Sequence, residues 1–256
     1  MLYRIDYAWR LVGTGLAFAS LGLGGALLAV TAFPIIALIT RDASLRVRRT
    51  QYIIYVSFKC YIALMRFWPV LNLDFSEVGK LSNCEGRLIV ANHPTLLDVV
   101  LLMSLNPRMC CIVKHQLWSN PYLGGVVRAA GYIRNDLPSE QMLEKCAKAL
   151  ARGSNLLVFP EGTRTRLVAS CRFQRGFANL AMLTNSPVQL ALITCDPQTL
   201  MKGEPWYFIP GRRPTFRVRD MGFLDVNEYI GYQHRGIGAR RLVANVEDLY
   251  REQLAR

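Results

Sequence analysis

From Leu11 to Thr40 the chain runs thirty residues without a charge, LVGTGLAFASLGLGGALLAVTAFPIIALIT. Such a run commits the N-terminal segment to burial against protein or lipid. As a single helix it would extend about 45 Å, beyond a hydrocarbon layer of about 30 Å. Pro34 and the glycines at 22, 24 and 25 offer places to bend or break it. Two arrangements satisfy these constraints: one tilted spanning helix, or a helical hairpin dipping into one leaflet. Arg41, Arg46, Arg48 and Arg49 follow the run, against Arg4 and Arg10 before it, which places the downstream side in the cytoplasm. A cleaved signal peptide ending at "VTA" (30–32) is the competitor, but the apolar run continues through "FPIIALI".

Residues 51–71, QYIIYVSFKCYIALMRFWPVL, extend the apolar character, with Lys59 and Arg66 seven apart and so on one helical face. That pattern suits a membrane interface and equally a buried helix of the main domain. Residues 1–71 are therefore expected to be anchoring helices, and 72–256 an α/β domain. Charge agrees with a membrane surface. The net charge is +13, with +6 of it in the first 71 residues, in a chain whose hydrophobic set makes up 52%. Nucleic acid is not an expected partner, because no zinc-ligand spacing, Arg/Gly tract or RNA-recognition motif occurs, and "RPTFRVRD" (213–220) reads as a solvated strand face. Seven cysteines, with no C-x-x-C, do not form a disulfide framework and favour a reducing compartment.

Past "DFSEVGK" the pattern alternates. "RLIVA" (87–91), "MCCIVK" (109–114), "GYIR" (131–134), "NLLVF" (155–159), "VQLALI" (188–193), "WYFIP" (206–210) and "TFRVRDMGFL" (215–224) read as strands. Helices are expected over 94–105, over 139–152, with Met142, Leu143, Cys146, Ala147 and Leu150 as its inner stripe, and from about Ala239. The fold class is α/β: a layered mixed sheet flanked by helices.

Two strand ends hold unusual residues, and in α/β sheets sites gather at the carboxyl ends of strands. The first is "ANHPTLLD" (91–98). If Pro94 takes the first helical position, as proline prefers, His93 is the N-cap and Asp98 lies in the early helix. Five residues along one continuous helix differ by about 140°, so His93 meets Asp98 only from extended backbone outside it. The pair then forms an imidazole–carboxylate unit. Alone, the same stretch reads first as an ordinary helix start with a chance histidine and a surface aspartate. No G-x-S-x-G elbow supplies a nucleophile, so a histidine base would act on a hydroxyl of the substrate. The second end is "FPEGTRT" (159–165). Gly162 permits a tight turn whose N–H groups face an anion, Thr163 adds a hydroxyl, and Arg164 a guanidinium fork. Arg166, Arg172 and Arg175 follow. Neither His115 nor His234 has ligand spacing with His93, and no metal is expected.

These two blocks, in this order and about seventy residues apart, resemble the first and third signature blocks of the lysophospholipid acyltransferases, the glycerolipid family typified by bacterial 1-acylglycerol-3-phosphate acyltransferase. "VKHQLWSNPYLGGVVRAAGYI" (113–133), "FQRG" (173–176) and "SPVQLALI" (186–193) are similar to further family segments. The likeness covers about residues 75–225. It implies that His93 is the base, that Asp98 orients it, and that Glu161, Gly162, Thr163 and Arg164 bind the acceptor's anionic head. Arg134, Lys114 and Arg175 join the implied substrate-binding set. The implied donor is acyl-CoA or acyl carrier protein, with no other cofactor, and the implied place is the cytoplasmic face of the inner membrane among membrane lipids. Two departures stand out: the second block is the shorter "GYIRND", and Leu190 stands where the fourth block commonly has a second proline. Both bear on the acceptor, leaving open an amino-acid, glyco- or polyene lipid, or a non-catalytic lipid-binding protein of the same fold.

Overall fold

A computed structural model describes residues 2–121, 123–165, 172–232 and 234–255. Helices α1 (Leu2–Val30), α2 (Ala32–Ile39) and α3 (Ala43–Phe67) open the chain. Seven strands follow among the described residues: β1 (Asn72–Asp74), β2 (Leu88–Ala91), β3 (Met109–Val113), β4 (Ile133–Arg134), β5 (Asn155–Val158), β6 (Val188–Asp196) and β7 (Thr215–Leu224). Between and after them lie a 3₁₀ turn (Gly79–Ser82) and helices α4 (Asp98–Met103), α5 (His115–Trp118), α6 (Gly124–Ala129), α7 (Ser139–Ala151), α8 (Gly176–Thr184), α9 (Asn227–Ile230) and α10 (Arg235–Leu254).

The strands form one mixed sheet in the order β1-β7-β6-β2-β5-β3-β4. Strands β6, β2, β5, β3 and β4 run parallel; β7 opposes β6, and β1 is parallel to β7. Every residue of β2 is buried, as its unbroken apolar run requires of a central parallel strand. Helix α3 packs on α4 and β3, α7 on β4 and β5, and α8 on β2 and α10.

Helix α1 has two unlike faces. On one, Gly13 lets the backbone close on Val70, since a Cβ there would meet Val70 Cγ2 at 2.8 Å. Arg10 on this face is fully buried: it pairs with Asp6 at 2.9 Å and donates to the carbonyls of Pro210 (2.7 Å) and Gly211 (3.3 Å). The other face exposes Ile5, Trp9, Val12, Leu16, Leu23, Leu27 and Val30 at intervals of three, four or seven residues. Among the described residues Arg4–Ile39 is the one helical stretch long and apolar enough to cross a membrane.

The helical break falls at Thr31, between α1 and α2, and the glycines at 22, 24 and 25 lie inside α1. Pro34, with no N–H to give the carbonyl of Val30, accounts for a break one turn earlier. Three further sequence expectations are corrected. Helix α4 begins at Asp98, not Pro94, so His93 is not its N-cap. The stretch 206–210 is no strand, and its Trp206, Tyr207 and Phe208 are exposed rather than paired in the sheet. The terminal helix starts at Arg235, four residues before the apolar periodicity begins. The other strand expectations hold to within three residues, and β7 matches 215–224 end for end.

Candidate active site

Because β2 pairs with β5, their carboxyl ends emerge side by side and bring together residues 68 apart in sequence. At the β2 end, Asn92 is buried and clamps its strand to β6: its Nδ2 donates to Ile193 O at 2.8 Å, and its Oδ1 accepts from Ile193 N at 2.7 Å. The next side chain, His93, is 17% exposed, and its Nδ1 lies 2.8 Å from Asp98 Oδ2. Nε2 has no hydrogen-bond partner among the described residues.

The four residues between them form a turn, not a helix, and that turn decides the geometry. Asp98 reaches back to accept from Thr95 N at 2.7 Å and from the Thr95 hydroxyl at 2.5 Å. Its carboxylate is thereby folded toward His93, which the angular separation along a continuous helix would have prevented. Asp98 is fully buried, and burial raises its pKa, while the His93 and Thr95 donors act in the opposite direction. With three donors on its two oxygens it holds the imidazole through Nδ1, and Nε2 is the ring nitrogen left unengaged among the described residues. Phe159 stacks on the imidazole, with centroids 4.2 Å apart and planes at 24°.

At the β5 end Glu161 turns inward. Its Oε1 accepts the His93 backbone N–H at 3.0 Å, and its Oε2 is buried without a hydrogen-bond partner among the described residues. Burial is the largest influence and raises its pKa. The Thr165 hydroxyl, the His93 N–H and the imidazole oppose it, and the Asp98 charge adds to it. Gly162 has φ +68°, and a Cβ there would meet Gln174 Nε2 at 2.7 Å. Arg164 donates to the carbonyls of Leu200 (3.2 Å) and Met201 (3.3 Å), and Thr165 N donates to His93 O at 3.0 Å, tying the two loops together. Thr163 is half-buried beside them.

The remaining candidates spread along the same end of the sheet. Lys114 follows β3 and is exposed. Arg134 ends β4, where it is bonded through Nε (2.9 Å) and Nη2 to the Asp136 carboxylate and lies over Trp118. Arg175 is exposed at the start of α8, as is Arg172 before it. Arg166 lies outside the described residues. Thr95 was legible in advance, since Thr95-x-x-Asp98 has the spacing of a reciprocal capping pair. Phe159 and Tyr250 were not. The buried Tyr250 of α10 sets its hydroxyl 2.9 Å from Val90 O and 2.8 Å from Ala191 O, just before Asn92.

Residues 73–194 match the family model described as Acyltransferase. The chain is 30% identical over 103 residues to the 1-acyl-sn-glycerol-3-phosphate acyltransferase of Helicobacter pylori, covering 38% of this chain and 43% of that protein. It is 37% identical over 84 residues to the lyso-ornithine lipid O-acyltransferase of Pseudomonas aeruginosa, covering 32% of each. The matched stretches span less than half the length of these relatives. The crystal structure of the 1-acyl-sn-glycerophosphate acyltransferase of Thermotoga maritima has the same fold, with a TM-score of 0.69 over 99% of this chain and 98% of that one at 18% identity.

Proposed function

Since residues 73–194 belong to the acyltransferase family, we propose that the chain moves a fatty acyl group from a thioester, acyl-CoA or acyl carrier protein, to the hydroxyl of a lysophospholipid-like acceptor. The observation behind this reading is the His93 Nδ1–Asp98 contact at 2.8 Å with Nε2 left open. His93 Nε2 takes the acceptor's hydroxyl proton as that oxygen attacks the thioester carbonyl. The tetrahedral intermediate then collapses, the C–S bond breaks, and the imidazolium returns its proton to the departing thiolate. Asp98 supports the imidazolium while it exists.

Glu161 acts by holding the His93 backbone, since a buried carboxylate is a poor partner for phosphate. Gly162, Thr163 and Arg164, with Lys114 and Arg175 on the rim, receive anionic groups of acceptor or donor. The exposed stripe of α1 and the neighbouring Trp206, Tyr207 and Phe208 rest in the lipid interface, while Arg10 keeps the opposite face on the domain. In this arrangement the site lies at the cytoplasmic face of the inner membrane, where residues 1–71 serve as the anchor.

A second acceptor class has an observation of its own. The Arg134 guanidinium is already bound to Asp136, which weakens it as a phosphate ligand. That favours a lysolipid without a phosphate monoester, such as the amino-acid lipid named for the Pseudomonas relative. The test is one labelled donor, presented as acyl-CoA and as acyl carrier protein, offered to a panel of lysolipids with products weighed by mass. Transfer to 1-acylglycerol-3-phosphate is the expected result, and transfer to a lyso-amino-acid lipid alone would select the second acceptor. Folded protein inert toward every acceptor would overturn the proposal.

A further inference from the structure

The basic residues after the uncharged run gather at the other end of the sheet. Asp42 caps α3, accepting Leu45 N at 2.6 Å. From there Leu45, Arg48, Arg49, Tyr52 and Ile53 follow at helical intervals along one side of the helix. That side faces Ile36 and Ile39 of α2 and the turn Pro107–Arg108 across an open cleft of about 530 Å³. The α2 wall is aliphatic (Ile36 and Ile39), the α3 wall sets Arg48 and Arg49 among Leu45, Tyr52 and Ile53, and the turn adds the Arg108 guanidinium.

Among the described residues no carboxylate lines the cleft. Arg108 pairs with Glu85, and Arg49 donates to Thr40 Oγ1 at 2.7 Å, a neutral acceptor that leaves its charge uncompensated. Arg48 has neither an ion pair nor a hydrogen bond among the described residues. The aliphatic wall continues into the exposed side chains of Ile35, Leu38 and Ile39 on α2, the end of the stretch long enough to cross a membrane. Arg108 immediately precedes the amino end of β3, whereas His93 follows the carboxyl end of β2 in the same parallel set, so cleft and base lie at opposite ends of the sheet.

We propose that this cleft binds one anionic phospholipid from the bilayer, its phosphate against Arg48 and Arg49 and an acyl chain along Ile36, Ile39 and Leu45. A free anion would satisfy the guanidiniums but gives no use to an aliphatic wall continuous with exposed α2. The shared chemistry is a phosphate; the apolar wall chooses the lipid as its source.

The test uses the full chain in neutral detergent with phosphatidylglycerol as the probe, and native mass spectrometry to count retained lipid. The parent is expected to hold one phosphatidylglycerol per chain. Arg48→Glu and, on the other wall, the exposed Ile39→Asp should each lower the retained fraction about tenfold. Arg240→Glu, an equal charge change on exposed α10, should not, and inorganic phosphate should not displace the lipid. Thermal melting accompanies each variant, and Arg48→Gln replaces any charge reversal that fails to fold. Equal retention in all variants, equal loss in Arg240→Glu, or displacement by inorganic phosphate would each overturn the proposal. None of these readouts involves acyl transfer, so the result stands apart from the activity proposed above.

Discussion

The carboxyl ends of β2 and β5 are neighbours in the sheet, and they are finished in opposite ways. At β2 nearly every polar group is spent: Asn92 is bonded twice to Ile193, and Asp98 takes three donors. At β5 valences stay open: Glu161 Oε2 is buried without a partner among the described residues, Gly162 is exposed on a left-handed turn, and Thr163 is half-buried. In the function proposed above, the first end holds one side chain still and the second meets what arrives. A base needs a fixed direction and a tuned proton, which satisfied hydrogen bonds provide. A binding loop needs groups that an incoming molecule can still reach.

That contrast can be broken in a definite order. His93→Ala should cut acyl transfer by about 10³-fold or more while the protein still folds, measured as turnover of purified variant. An unchanged rate would remove the base assignment. Asp98→Asn keeps the shape but offers an amide to Nδ1, so turnover should fall by about 10²-fold with little change in KM. A change confined to KM would mean that the β2 end binds substrate rather than directing a proton.

Glu161→Gln tests whether the β5 end serves the β2 end. Its amide oxygen can still accept the His93 N–H, so turnover should drop only about tenfold or less. The stability comparison is sharper. Burial raises the Glu161 pKa, so the fold favours the protonated acid. That contribution is fully present below the ordinary glutamate range and is lost as pH rises through the raised value. The melting temperature of the parent minus that of Glu161→Gln should therefore be most positive in acid and decline toward neutrality; a difference that grows with pH would reverse the sign of the shift. Smallest of the four, Gly162→Ala puts a Cβ 2.7 Å from Gln174 Nε2 at φ +68° and should cost about 1–2 kcal/mol in chemical denaturation.

Much of this was legible in the chain. Buried parallel strands announce themselves as continuous apolar runs, and β2, β3 and β5 were found that way. The one false strand, 206–210, is an apolar run rich in aromatics, but Trp206 leans on Phe18 of α1 instead of pairing in a ladder. Periodicity cannot report on such a contact because it depends on a residue nearly two hundred positions away. For the same reason β1, only three residues long and fixed by β7, left no signal. At the site, residue types and spacing pointed to His93 and Asp98 together, but not to the route by which they meet. Proline's preference for the first helical position suggested a helix from Pro94. The Thr95–Asp98 bonds outweigh that preference and hold the first residues in a turn. Glu161 shows the converse limit: nothing in its spacing announces the hydrogen bond that its carboxylate accepts from the His93 backbone.

Tyr250 gives the site a place in time as well as in space. Its hydroxyl joins the carbonyls of Val90 and Ala191 at the point where β2 and β6 deliver Asn92, and it reaches them from the last long helix. A nascent chain has its histidine and aspartate in hand 152 residues before Tyr250 is added. The brace behind them does not exist until synthesis passes residue 250, so the histidine and aspartate are made well before the tyrosine that supports their strand.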